Sequence, residues 1–327
     1  MIPISVLDLV SVREGWSTSR ALTETGLLAQ TAEAAGYHRF WVAEHHGMDG
    51  IAGGATSVVL GHVGHVTSTI RIGAGGVMLP NHNPLVIAEQ FGTLDALFPG
   101  RVDLGLGRAP GADSRIGQAL RKDLMAAAGT FPQDVMELLD RFAGEAMAVP
   151  TPQASGAAVH VWILGSSLYG AQLAAHLGLP YAFASHFAPD HLDAALEVYR
   201  RTFRPSPQLE KPHAMAAMTV IAAESDAEAA LLATSLDQGF VRLRTGQPGR
   251  MGPPIPGYRD SLPPQILAGI DHMRQASAIG GKATVRAGIQ RFLERTRADE
   301  LIVAGAVWDP ELQRRSLVLA MEALRED

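Results

Sequence analysis

The residues best suited to chemistry in this chain recur at one kind of place, directly after a short apolar run. Glu44-His45-His46 follows residues 37–43, and Gly75-Gly76 comes late in the run that begins at Ile70 and continues to Asn81-His82-Asn83. Gly107-Arg108-Ala109-Pro110-Gly111 follows residues 101–106, and Gly165-Ser166-Ser167-Leu168-Tyr169-Gly170 follows residues 160–164. An imidazole takes up or gives a proton near neutral pH. Adjacent side chains on an extended segment point to opposite sides, so His45 and His46 share a pocket only if the strand has already ended. The reading is that His45 does acid–base work and His46 lines the pocket or bonds to neighbouring groups; the plain alternative is a structural histidine.

Gly75 and Gly76 admit backbone angles closed to other residues and would let a flat ligand lie against the main chain. An ordinary bulge accounts for them equally well. Arg108, beside the flexible Gly107, suits a phosphate or a carboxylate, although it could simply pair with an acid. Ser166 and Ser167 stand where a strand runs into a helix, and hydroxyls and free amides there form an anion site; plain N-capping is the alternative. Two anion-suited segments after neighbouring strands favour a phosphorylated cofactor over either segment alone.

His82 and His186 also follow candidate strands, and with His45 and His46 they raise a metal-dependent hydrolase as a reading from another class. No acid adjoins His82 or His186 in the sequence, so no metal site is expected. The chain has no cysteine, which removes disulfides, thiolate–metal sites and cysteine nucleophiles. It also lacks a Gly-x-Ser-x-Gly elbow.

These segments need a frame that brings them together. Eight β-rich runs are expected at 3–9, 38–43, 70–77, 101–107, 160–164, 181–185, 214–222 and 300–305. Most are apolar throughout, as strands covered on both faces should be. Helical stretches are expected at 19–36, 52–68, 84–98, 169–178, 189–203, 226–241 and 309–324, with Ser225 and Asp309 as N-caps and Pro310 in the first turn. The alternation points to α/β architecture, a (β/α)8 TIM barrel, with an open doubly wound sheet as the alternative. In a barrel all the chemical segments would meet at the carboxyl edge of the strands.

Two stretches interrupt the alternation. Residues 113–152 are expected to hold one or two helices. Residues 242–264, rich in Gly and Pro and carrying Arg242, Arg244, Arg250 and Arg259, are read as a mobile lid that meets the substrate, against a solvated surface excursion. The segment 55–66 (ATSVVLGHVGHV) is apolar almost all round, with Gly61 and Gly64 permitting close approach. A homodimer is expected to cover it.

With 327 residues, 47% hydrophobic and 18% charged, the chain can bury a large core, and it is expected to form one domain across 1–327. The 27 basic and 33 acidic residues are mixed and give a net charge of −6. No basic stripe suggests a nucleic-acid partner, and the acidic balance argues against anionic membranes. The amino terminus has no signal-peptide pattern and no apolar run reaches ~20 residues. A soluble cytoplasmic protein is expected.

The block 41–111, from Trp41-Val42-Ala43-Glu44-His45-His46 through Gly75-Gly76-Val77-Met78-Leu79-Pro80 to Gly107-Arg108-Ala109-Pro110-Gly111, resembles the bacterial luciferase-like flavin monooxygenases, in particular their short single-polypeptide members. The resemblance continues through 163–171, 183–187 and 298–303. It implies a (β/α)8 barrel that takes reduced FMN from a separate flavin reductase. It further implies that dioxygen adds to the flavin and that the peroxyflavin oxygenates a small-molecule substrate. By the same resemblance His45 matches the catalytic histidine, Gly75-Gly76 a non-proline cis peptide beneath the flavin ring, Arg108 a phosphate ligand, and Ser166, Ser167 and Gly170 the phosphate turn. Luciferases proper carry a cysteine where this chain has Gly107, so light emission is not implied and the ring environment is more open. Gly170 replaces a hydroxyl residue, which implies modest FMN affinity. The nearest rival on the same barrel is a deazaflavin-dependent hydride-transfer oxidoreductase.

Overall fold

The computed structural model describes residues 2–109 and 114–325. Nine parallel strands form its sheet: β1 (Ile4–Asp8), β2 (Arg39–Val42), β3 (Arg71–Met78), β4 (Val102–Gly107), β5 (His160–Gly165), β6 (Tyr181–Phe183), β7 (Ala214–Ala222), β8 (Ser277–Gly280) and β9 (Glu300–Ala304). Among the described residues the helices are α1 (Thr18–Ala35), α2 (Thr56–Val66), α3 (Pro84–Leu97), α4 (Ser114–Leu120), α5 (Leu124–Gly129), α6 (Phe131–Ala143), α7 (Leu168–Leu177), α8 (Leu192–Thr202), α9 (Asp226–Arg244), α10 (Pro264–Met273), α11 (Lys282–Thr296) and α12 (Pro310–Arg325).

β1 to β6 pair in sequence order, β6 pairs with β7, β7 with β9, and β9 with β1. This closes an eight-stranded barrel, so the open-sheet alternative falls. All eight expected strands are in the ring. The ninth, β8, lies outside it and pairs only with the end of β7, from Thr219↔Ser277 to Ala222↔Gly280. Residues 113–152 hold three helices rather than one or two. Ser225 and Asp309 cap α9 and α12 by accepting hydrogen bonds from backbone N–H groups of the first turn. No helix among the described residues is long and apolar enough to cross a membrane.

The ring is filled in layers. At the amino-terminal end, Arg39 bonds both Asp103 and Glu300, and Arg71, Ser5 and His213 complete the network. Burial pushes the Asp103 and Glu300 carboxyls up, but the facing guanidinium of Arg39 and further hydrogen bonds outweigh it and hold both below their ordinary values. Above this plug Trp41 and Trp162 meet edge to face at 5.3 Å, packed with Met215, Ala217 and Ile302. The outward residues of the same strands form the larger core beneath the helices.

Candidate functional site

Glu44, His45 and His46 lie just beyond the carboxyl end of β2, where the sheet ladder has ended. Glu44 is buried, and its Oε1 accepts hydrogen bonds from His46 Nε2 at 2.6 Å and His82 Nε2 at 2.8 Å. Its Oε2 accepts from the Met78 N–H at 3.3 Å. Burial raises its proton affinity, but the bonds from His82 and His46 outweigh that and hold the carboxyl below its ordinary value. His45 is half-buried, and burial lowers its pKa more than the Glu44 charge raises it. Its surroundings therefore favour the neutral imidazole.

No acid adjoins His82 in the sequence, but the fold brings one to it. Glu44 joins His46 and His82, and their donor atoms lie within 4.8 Å of one another. The acid was missed because His82 is supplied by a different strand, 38 residues further on. A signal was present: Glu44 and His46 are two apart, the spacing that places side chains on one side of an extended segment.

The peptide between Gly75 and Gly76 is cis, and the β3–β4 register shifts between Gly75 and Val77. The bulge reading thus holds, together with the cis bond. Protein atoms occupy the directions the missing side chains would take. A Cβ on Gly75 would stand 2.7 Å from Leu7 and 2.9 Å from Trp41, and one on Gly76 would stand 2.6 Å from the Gly105 carbonyl oxygen. Any ligand on this peptide meets main chain, and the glycines are required by the barrel's own filling. Gly107 differs, since a Cβ there would meet only the Val77 carbonyl oxygen at 3.7 Å.

Arg108 follows β4 and is exposed, its guanidinium 4.1 Å from the centre of the Tyr169 ring on α7. Pro110 and Gly111 of this segment lie outside the described residues. Ser166 and Ser167 bridge β5 and α7, and Ser167 occupies the N-cap without a side-chain cap bond. Tyr181 donates its hydroxyl to the Ser167 carbonyl at 3.2 Å. Ser166 and Ser167 thus lead into the amino end of a ten-residue helix, and the Arg108 guanidinium approaches the Tyr169 ring in its first turn. Gly170 is buried, and a Cβ there would press on the Tyr181 ring at 3.2 Å. Tyr169 escaped the sequence reading; only the adjacency of β4 and β5 reveals it as the platform for Arg108.

His186 follows β6. Its Nδ1 is enclosed with no hydrogen-bond partner, and burial pushes its pKa down to about 4. The lid expected at 242–264 is shorter: Arg242 and Arg244 lie in the last turn of α9, and residues 245–263 form a strap from there to α10. Met251 exchanges backbone bonds with Val12 and Glu14, Arg242 pairs with Glu14 at 3.0 Å, and Arg250 pairs with Asp49 at 2.9 Å. Arg259 and Arg274 converge on the carboxylate of Asp237. Arg242 is thereby committed to protein partners, whereas Arg244 is exposed over Phe240.

The sequence profile of the luciferase-like monooxygenases matches residues 2–300. A luciferase-like monooxygenase of Escherichia coli K12 is 49% identical over 330 residues, covering 99% of this chain and 98% of the relative. The crystal structure of apo-MsnO8 is 30% identical, with a TM-score of 0.89 over 99% of this chain and 98% of that one. The oxygenating constituent of 3,6-diketocamphane monooxygenase from Pseudomonas putida, solved with FMN, shares the fold at 17% identity and a TM-score of 0.73, covering 99% and 98%.

Proposed function

As the chain belongs to the luciferase-like monooxygenase family, we propose that it is a flavin-dependent enzyme. It accepts reduced FMN from a separate reductase and uses dioxygen to oxygenate a small organic substrate. The observation that supports this reading is the Arg108 guanidinium set against Tyr169 in the first turn of α7, directly after Ser166 and Ser167, with the cis Gly75–Gly76 peptide on the neighbouring strand β3. The FMN phosphate would be held by Arg108, the two serine hydroxyls and the free amides of α7. Set against the Tyr169 ring, the guanidinium would offer its N–H groups to the phosphate. The diketocamphane enzyme, an oxygenating constituent solved with FMN, supports both the cofactor and a two-component system.

When bound, reduced flavin supplies the electrons that let dioxygen give one atom to the substrate. The protein's part is to bind, orient and handle protons. His45, whose burial favours the neutral ring, would accept and return a proton during the reaction. The strap of residues 245–263 closes one side of the mouth, and its movement would admit substrate. We further place a second copy of the chain on α2, where Val58 is 72% exposed and Gly61 has open space beside it. Gly64 serves a different purpose from the one expected, since a Cβ there would strike the Phe98 ring of the same chain at 2.5 Å.

Mixing the protein with photoreduced FMN and air tests the assignment. Protein-bound flavin should reoxidise in a phase that free flavin lacks, while a reduced deazaflavin should stay inert to air. Reoxidation identical with and without the protein overturns it, and saturable binding of a deazaflavin in preference to FMN would install the hydride-transfer reading.

A further inference from the structure

The buried Glu44 carboxylate joins two imidazoles from separate strand ends, an arrangement that the proposed phosphate site and His45 do not account for. Oε1 receives both His46 Nε2 and His82 Nε2, and the side chain of Glu44 is 2% exposed while the rings are 23% and 27% exposed. An ionised carboxylate has no hydrogen to donate, so both rings must carry hydrogen on Nε2. Nδ1, the nitrogen remote from Glu44, is then where each ring can take a further proton. The groups around the cluster are His45, which precedes His46, and Lys122, whose Nζ donates to the carbonyls of Pro80 and His82. Met78, two residues beyond Gly76, closes the inner side with its N–H on Oε2.

Glu44, His46 and His82 are also residue types that ligate metals, and their donor atoms lie within 4.8 Å of one another. Donor separations of 2.6 and 2.8 Å are hydrogen-bond lengths. Tetrahedral zinc with bonds of ~2.1 Å would hold its ligand atoms roughly 3.3 Å apart. The geometry favours shared protons.

We propose that Glu44 is a positioning residue that fixes His46 and His82 as a paired proton store beside His45. This rests on the flavin monooxygenase reading for its purpose. Reduced flavin, dioxygen and substrate give oxidised flavin, oxygenated substrate and water, and the two protons released must end on the water oxygen. His46 and His82 take up and return protons at Nδ1 during that transfer, so the protein ends each cycle unchanged.

Nuclear magnetic resonance of the full chain without flavin tests the pairing directly. The Nε2–H protons of His46 and His82 should appear as two downfield resonances protected from solvent exchange, assigned with His46→Gln and His82→Gln. Glu44→Gln should move both upfield and speed their exchange by roughly tenfold or more, and Glu44→Asp should restore them in part. In turnover, Glu44→Gln should lower kcat by roughly a hundredfold with FMN affinity and substrate KM unchanged. Should Glu44→Gln fail to fold, His82→Gln must still shift the His46 resonance, because the two rings share one oxygen. Nδ1–H tautomers, or resonances indifferent to Glu44→Gln, overturn the proposal whether or not FMN binds. Saturable zinc binding lost in His46→Gln and His82→Gln overturns it in favour of a metal site. Paired resonances in a protein that does not turn over reduced FMN would instead sink the functional assignment and leave the pairing standing.

Discussion

Arg108 stands exposed at the end of β4 with its guanidinium 4.1 Å from the centre of the Tyr169 ring. Arg108→Ala should weaken FMN binding by about 1.5–3 kcal/mol, the scale of a charge-assisted hydrogen bond; fluorescence titration checks this, and an unaltered Kd would place the phosphate elsewhere. His45→Ala should keep FMN affinity while coupled oxygenation falls by roughly a hundredfold, read as product formed per FMN reoxidised. His186 gives a pH prediction. Its folded pKa of about 4 lies below the ordinary 6.5, so the fold favours the neutral ring. The protein is fully stable with respect to this group above pH 6.5 and loses stability as pH falls toward 4, by at most about 3 kcal/mol. His186→Phe should flatten that decline in urea midpoints measured across the range.

At the scale of elements, β3 and β4 approach each other closely because the interior is already taken by Trp41. A Cβ on Gly73 would lie 2.8 Å from Trp41 Nε1, and one on Gly105 would lie 2.3 Å from the Ala74 carbonyl oxygen. Gly76→Ala would force its methyl to 2.6 Å from a backbone oxygen that cannot rotate away. It should cost at least about 1–3 kcal/mol, visible as a lower Tm; an unchanged Tm would mean the two strands part freely. The cis Gly75–Gly76 peptide was expected from resemblance, whereas the packing reason for both glycines belongs to the barrel interior.

For the whole molecule, closure of the ring decides where chemistry can occur. The Arg39–Asp103–Glu300 network plugs one end, so the opposite rim, with Glu44, Gly76, Arg108 and His186, is the open one. The outer surface has its own signal. Val58 on α2 is 72% exposed, and Val86 and Leu97 on α3 are 42% and 63% exposed. If a second copy covers this face, Val58→Asp should shift a dimer toward monomer in sedimentation velocity; a wild-type protein that sediments as a monomer at all concentrations refutes the interface.

The amino-acid sequence by itself determined the eight ring strands and most of the helices around them. Strands buried on both faces are short apolar runs, and helices carry a 3.6-residue period, so both signals are local. It also marked His45, Arg108 and the two serines, because each follows such a run. It did not reveal β8, a four-residue strand outside the ring whose only partner is the end of β7. Only the tertiary structure decided that Glu44 meets His82, that Tyr169 carries Arg108, and that Trp41 compels glycine on β3. Each of those contacts joins residues from different elements, and strand order and register, rather than nearness along the chain, set which side chains meet.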